Sequence, residues 1–331
     1  MIVTLTAHPA LDRSIALDTP LRPGEVQPGT PGREDAGGKG INVARAISAA
    51  GQDVLAVLPL ASDDPYAAIL AASRASAYVV PVEGHARVNL TLSDPAGVTT
   101  KINLPGAVLS PAEAAQMIQT VVAACEGADW LVLAGSLPPG VADDFYVDVI
   151  DAVRDRWGAG APRVAVDTSG AALGAVVERG RPDLIKPNED ELAELAAVEL
   201  ETTGDASDLI HRVVALAQSF VPERVGAALV TLGGDGAVLI DADGAWAGTP
   251  PPITVVSTVG AGDSSLAGFV LGDLEGLDAP GRLRRAIQYG AAAASLPGSQ
   301  APAPADLPTG PVDIVAWIPD PPDQHSSYYR P

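Results

Sequence analysis

The chain has 331 residues, 47% of them hydrophobic, and carries 20 Lys+Arg against 41 Asp+Glu, a formal charge of −21. That is room for one large domain or two ordinary ones with a buried core. The acidity excludes nucleic acid as a partner, because binding it requires a basic face. No apolar run reaches 18 residues, so no membrane partner or membrane span is expected. The start, Met1–Ala10, lacks a positive segment followed by a long apolar one and reads as a strand of a cytoplasmic protein. A single cysteine, Cys125, excludes an intramolecular disulfide and a Cys-rich zinc site, and the four histidines show no ligand spacing.

Apolar runs predict strands at Ile2–Thr6, Val54–Leu58, Trp130–Ala134, Arg163–Asp167, Asp183–Ile185, Ala227–Leu232 and Ala237–Ile240. Between them, Ala- and Leu-rich stretches predict helices at Asn42–Ala50, Pro65–Ala75, Pro111–Cys125, Asp143–Arg156, Glu189–Ala197, Asp205–Phe220, Gly262–Gly272 and Gly281–Ala294. Strands such as Trp-Leu-Val-Leu-Ala are apolar throughout, as in a parallel sheet covered on both faces. The alternation predicts an α/β fold, a three-layer α/β/α sandwich. Residues 12–35 and 78–104 are β-like without helices and predict a small antiparallel sheet standing off the body as a lid. The core then comprises residues 1–11, 36–77 and 105–308. Residues 309–331 are a Pro-rich tail; nine of the 30 prolines lie in 296–331, which argues against long regular elements there, although Trp317, Tyr328 and Tyr329 offer anchors.

The chemistry concentrates in two glycine turns. Ile253–Val259 reads as a β-run entering Gly260-Ala261-Gly262-Asp263, from which a helix leaves. Glycines allow close backbone approach, and the first helical turn offers free N–H groups to an anion such as a transferring phosphoryl group. A fixed carboxylate there, Asp263, is either a base facing a substrate hydroxyl or an ordinary helix-start Asp. The second turn is Gly37-Gly38-Lys39-Gly40-Ile41-Asn42, which offers backbone, one ammonium and one amide, or is simply a flexible turn. No Walker A loop is present, since Gly40 follows Lys39 where Ser or Thr is required, and Gly260-x-Gly262-x-x-Ser265 is only a weak dinucleotide motif.

The two turns together resemble the signatures of the ribokinase-like (PfkB) carbohydrate kinases. The resemblance runs from residue 1 to about 308. Pro9-Ala-Leu-Asp12, Arg87-Val-Asn-Leu, Ala134-Gly-Ser-Leu-Pro-Pro-Gly140, Val166-Asp-Thr-Ser-Gly170, Lys186-Pro-Asn-Glu-Asp-Glu191 and Thr231-Leu-Gly-Gly-Asp-Gly236 support it in order. Within the family the chain is most similar to the branch that acts on phosphorylated ketohexoses, the bacterial 1-phosphofructokinase and tagatose-6-phosphate kinase group. The resemblance implies ATP and Mg²⁺, Asp263 as general base, and Gly260, Ala261 and Gly262 as the anion hole. It implies Lys186, Asn188, Thr231, Gly233 and Gly236 around the nucleotide, with Asn188 and Glu191 organising the metal. For the sugar it implies Asp12, Gly38, Lys39, Asn42, Arg87, Lys101 and Ser136.

Electrostatics supports the cations. A sugar phosphate brings about two negative charges, and one ion pair at about 4 Å is worth roughly 4 kcal/mol at an effective dielectric near 20. The expected reaction is phosphorylation of fructose 1-phosphate to fructose 1,6-bisphosphate, in a homodimer joined through the lid. A sibling kinase of tagatose 6-phosphate, fructose 6-phosphate or an unphosphorylated sugar remains open, as does a non-catalytic binding regulator. Three places depart from the family pattern: His8 in place of Asn, Leu104 in place of Glu, and Pro59–Pro65 in place of a Gly-rich stretch.

Overall fold

The structure, a computed structural model, describes residues 1–73, 75–198 and 206–317. Fourteen strands in chain order are β1 (Ile2–Leu5), β2 (Ala10–Leu17), β3 (Gly29–Gly37), β4 (Val54–Leu60), β5 (Ala77–Pro81), β6 (Arg87–Ser93), β7 (Thr99–Asn103), β8 (Trp130–Ala134), β9 (Arg163–Asp167), β10 (Leu184–Ile185), β11 (Ala227–Thr231), β12 (Ala237–Asp241), β13 (Gly244–Thr249) and β14 (Asp313–Trp317). Ten form one sheet in the order β14-β13-β12-β11-β10-β9-β8-β1-β4-β5, parallel from β5 to β11 and antiparallel beyond. The remaining four form the small sheet β3-β2-β6-β7.

The fully buried strands β1 and β8 show why the central runs are apolar throughout. On one face, helices α1 (Lys39–Ala49), α8 (Ala261–Leu274) and α9 (Ala279–Ala294) bring Ile41, Ile47, Leu266, Val270 and Leu283 against Ile2, Leu58 and Val132. On the other face, α3 (Pro111–Ala124) and α4 (Phe145–Trp157) pack Met117, Val121 and Ile150 on Val3, Leu5 and Leu131. Toward the far edge, α5 (Gly170–Ala175), α6 (Glu189–Leu195) and α7 (Ala206–Ala217) bury Leu173, Leu192 and Val213 against Ile185, Val230 and Ile240. These are the three expected layers. Helix α2 (Tyr66–Ala72) lies below the small sheet, and the Tyr66 hydroxyl donates to the Gly37 carbonyl. The departing stretch Pro59–Pro65, which ends β4 and leads into α2, meets the segment before β6, where Asp64 accepts from the Ala86 N–H at 2.6 Å.

The structure corrects several expectations. The small sheet is mixed, not antiparallel throughout, because β2 and β6 pair in parallel. Residues 78–81 do not belong to the lid; they lie in β5, which extends the main sheet parallel to β4. Residues 313–317 are not part of an irregular tail: the proline-free run Asp-Ile-Val-Ala-Trp pairs with β13, and Trp317 stacks edge-on to His211. The run Ile253–Val259 is not a strand; it is an unpaired loop whose Val256 and Ser257 N–H groups bond the Ala294 carbonyl. Strand β13 and helix α5 were not anticipated, because Gly-Ala-Trp-Ala-Gly-Thr and Gly-Ala-Ala-Leu-Gly-Ala carry little periodic signal. Tyr328, Tyr329, Arg74 and the expected start of α7 at Asp205 lie outside the described residues. No described helix is long and apolar enough to cross a membrane.

Candidate active site

The site lies where parallel sheets commonly place one, beyond the carboxyl ends of the strands. Asp167 ends β9, Lys186 follows β10, Thr6 follows β1, and the first turns of α1 and α8 face them. Gly38 precedes α1 at φ 124°, and a Cβ there would lie 2.6 Å from Thr6 Cγ2, so only glycine fits.

Asp263 occupies the third position of α8 and is 7% exposed. Asn42 Nδ2 donates to its Oδ2 at 2.8 Å, joining the two glycine turns. Burial, reinforced by the charge of Asp167, pushes Asp263 up to about 6, against the pull of Lys39, Asn42 and Lys186. Gly260, in the left-handed conformation, swings the chain into the helix, and no side chain caps it. The N–H groups of Gly262 and Asp263 have no backbone acceptor among the described residues. A Cβ on Gly262 would sit 3.3 Å from Lys186 Nζ, so the missing side chain lets an ammonium approach the open helix end.

Asp167 is fully buried between two lysines. Lys39 Nζ donates to its Oδ1 at 2.6 Å, and Lys186 Nζ stands 3.2 Å from its Oδ2. Burial alone would raise this carboxyl, but Lys186 and Lys39 outweigh it and hold it below the usual range. Burial likewise opposes the Lys39 charge, while Asp167 and then Asp263 hold its pKa above the ordinary lysine value. The sequence reading quoted Asp167 within Val166-Asp-Thr-Ser-Gly170 but gave it no role; its partners stand 128 and 19 positions away.

Beside α8 a cavity of about 650 Å³ is lined by Asn188, Thr231, Gly233, Gly236 and Gly262. Its far end is apolar, walled by Pro252, Ile253, Ile287 and Ala291, none of which the sequence singled out. The expected nucleotide residues therefore converge, with Lys186 at Gly262. Asn188 and Glu191 form a capping box at the start of α6: Asn188 Oδ1 accepts from the Glu191 N–H at 2.7 Å, and Glu191 Oε2 from the Asn188 N–H at 3.0 Å. The helix-start role is thus real, and it leaves Glu191 one uncommitted carboxylate oxygen. No cluster of three ligating acids, histidines or cysteines occurs among the described residues.

On the small sheet, residues at alternating positions share a face. Register places Asp12 beside Asn89 and Thr91 beside Lys101, so Asp12, Arg87, Asn89 and Lys101 line one face. Asn89 Nδ2 donates to Asp12 Oδ1 at 2.8 Å. Burial raises the Asp12 carboxyl, with Asn89 and Arg87 opposing. Ser136 is exposed and lies 3.3 Å from His8 Nδ1. Lys101 is exposed and has no side-chain partner among the described residues. Several buried polar atoms around this face are unpaired: Asn42 Oδ1, Asn89 Oδ1, His8 Nε2, Arg87 Nε and Ser299 Oγ. Buried polar groups ordinarily find partners, so their gathering marks a surface made for a polar ligand. Asn89 and Ser299 are further residues to which the sequence reading gave no role, although Asn89 lies in the quoted stretch Arg87-Val-Asn-Leu and alternates with apolar Val88 and Leu90.

A profile of the pfkB family carbohydrate kinases matches residues 12–306. The chain is 32% identical over 316 residues to 1-phosphofructokinase of Rhodobacter capsulatus, covering 92% of this chain and 94% of that one. It is 33% identical over 297 residues to the ATP-dependent 6-phosphofructokinase isozyme 2 of Escherichia coli (strain K12), covering 89% and 91%. The crystal structure of phosphofructokinase-2 from Escherichia coli in complex with substrates and products superposes with a TM-score of 0.80 at 31% identity, covering 92% of this chain and 96% of that one. With the profile spanning most of its length and two glycine turns meeting over a buried carboxylate, the chain belongs to the pfkB family of carbohydrate kinases.

Proposed function

We propose that the chain transfers the γ-phosphoryl group of ATP to O6 of fructose 1-phosphate, giving fructose 1,6-bisphosphate and ADP. The carrying observation is the position of Asp263: a buried carboxylate of raised pKa, held by Asn42, between an open helix end and a face of unpaired polar atoms. Asp263 Oδ accepts the O6 proton as O6 bonds to phosphorus, and the bond from phosphorus to the ADP oxygen breaks. A base near the working pH both ionises and accepts well. The N–H groups of Gly262 and Asp263, with Lys186, stabilise the charge on the moving phosphoryl group. Thr231, Gly233 and Gly236 follow the nucleotide, whose base meets the apolar end of the cavity. Asp12, Asn42 and Gly38 orient sugar hydroxyls; Arg87, with Lys39, Lys101 and Ser136, receives the phosphate end.

Mg²⁺ fits this donor set as a lightly held ion, since it retains waters and takes much of its shell from phosphates. The uncommitted oxygen of Glu191 would hold it, with Asn188 fixing that carboxylate. When bound it neutralises charge on the nucleotide. The small sheet acts as a lid that keeps water from the phosphoryl group. Its opposite face packs Val88 on the core at its base and beyond it carries Leu90, Leu92 and Ile102, the last 44% exposed. An open apolar sheet face needs covering, and a second copy of the chain covers it in the homodimer we propose. The cytoplasm, which supplies ATP, is the compartment proposed.

A second reading, fructose 6-phosphate as acceptor, is favoured by the 33% identity to a 6-phosphofructokinase. An ADP-release assay over fructose 1-phosphate, fructose 6-phosphate, tagatose 6-phosphate and fructose decides. The highest kcat/KM is expected for fructose 1-phosphate; a higher value for any other sugar overturns that assignment.

A further inference from the structure

His8 stands where the family pattern has asparagine, directly after β1 and its Thr6-Ala7 extension, and it lies between the main sheet and the small sheet. Its Nδ1 lies 3.3 Å from Ser136 Oγ, on the loop that follows β8 in the rigid sheet. Its Nε2 is buried and has no partner. The side chain that abuts it from the lid is Arg87, the first residue of β6, whose Nε–H is buried and unpartnered as well. The two meet at Gly106: a Cβ there would lie 2.9 Å from His8 Nε2, 2.9 Å from Arg87 N and 3.1 Å from Arg87 Cβ. The base of the Arg87 side chain thus lies beside the ring, and the two side chains carry complementary unmet needs: a ring nitrogen lacking a donor and a guanidinium N–H lacking an acceptor. Burial, then the Arg87 charge, lowers His8 to about 4, so near neutral pH the ring has one N–H and one lone pair.

We propose that His8 is a positioning residue for the sugar-phosphate subsite: its Nδ1–H is anchored on Ser136, and its Nε2 accepts the Arg87 Nε–H once an anion sits against the guanidinium. This rests on the reading of Arg87 as the phosphate contact. With Nε held from behind, the two terminal nitrogens present a fixed fork, the geometry that suits a phosphate. Asparagine is too short to span from Ser136 to Arg87, so the histidine sets how firmly this chain holds the phosphorylated end of its substrate. Gly106 is the third element, because any side chain there would separate the pair.

The test combines a spectrum with kinetics. In protein labelled with ¹⁵N-histidine, the resonance lost in His8→Phe reports a ring protonated at Nδ1 and bare at Nε2, neutral from pH 8 to pH 5. Adding inorganic phosphate moves the Nε2 signal. An Nε2–H tautomer, or a charged ring at pH 7, overturns the proposal. In the ADP-release assay, His8→Phe raises KM for the sugar phosphate about tenfold, leaving kcat within about threefold and KM for ATP unchanged. His8→Gln, which keeps an acceptor, recovers at least half of that loss. In the Arg87→Ala background the second change His8→Phe has no further effect on KM; additive losses overturn the proposal. The spectrum needs no turnover, so it judges the His8–Arg87 contact even where the sugar panel overturns fructose 1-phosphate.

Discussion

Asn42 and Asp263, 221 positions apart, share a 2.8 Å hydrogen bond between the first turns of α1 and α8. The carboxylate orients the amide so that its Nδ2 faces inward, and Asn42 Oδ1 is left buried without a partner. One bond thereby fixes the two side chains that the proposed mechanism uses as proton acceptor and hydroxyl-binding group.

Removing the acceptor tests the mechanism directly. Asp263→Asn keeps the size of the side chain and loses the base, so kcat falls by at least about 10²-fold. KM for ATP and the circular dichroism spectrum stay as in wild type. Turnover within tenfold of wild type rejects the base assignment.

The raised carboxyl also fixes the acid limb of the rate profile. Ionised Asp263 is the active form, so kcat/KM declines below pH 6 and reaches roughly a tenth of its plateau at pH 5. A limb centred near pH 4 shows that another group controls the rate.

Stability should move in the opposite sense. Asp263 binds its proton more tightly in the folded chain than in the unfolded one, so folding weakens as pH rises from about 4 to about 6. The cost persists above that window and is absent below it. Asp263→Asn removes it, and its Tm therefore exceeds that of wild type more at pH 8 than at pH 4. Equal differences at both pH values contradict this assignment of charge.

Asp167→Asn leaves Lys39 and Lys186 facing each other without their shared anion. Breaking a buried ion pair from one side costs about 3–5 kcal/mol. Because Lys39 is partly exposed, the lower figure is expected in urea unfolding. ATP should raise the Tm of this variant more than that of wild type, since its phosphates supply the missing charge. Identical ATP shifts exclude Asp167 from the nucleotide-facing network.

The lid face offers a test of assembly. Ile102→Glu places a charge on an exposed position of β7, where a fold defect is not expected. Sedimentation should show a shift from dimer to monomer, accompanied by a higher KM for the sugar. An unchanged sedimentation coefficient removes this face from the interface.

What the sequence disclosed follows from how local each signal is. Trp130–Ala134 and Arg163–Asp167 could be bounded residue for residue because the middle of a strand buried on both faces is apolar, with charge only at the ends, as at Arg163 and Asp167. The two glycine turns were legible because they join backbone need and ligand chemistry within a few residues. Asp167 was hidden, since a carboxylate at the end of an apolar run looks the same whether it meets water or two lysines. The assignment of Tyr78–Pro81 failed for a related reason: Tyr-Val-Val-Pro is apolar as it would be in either sheet, and only pairing with β4 decides. Prolines around Asp313–Trp317 concealed a strand whose own five residues contain none.

That last strand has a consequence for handling the chain. β14 occupies the outer margin of a ten-stranded sheet and satisfies the main-chain groups of β13 along Ala245–Thr249. A fragment ending at residue 308 would present that bare margin to solvent, where it can recruit strands from other molecules. Shortened versions designed to discard the proline-rich end should therefore stop after Trp317, or they will precipitate for reasons unrelated to catalysis.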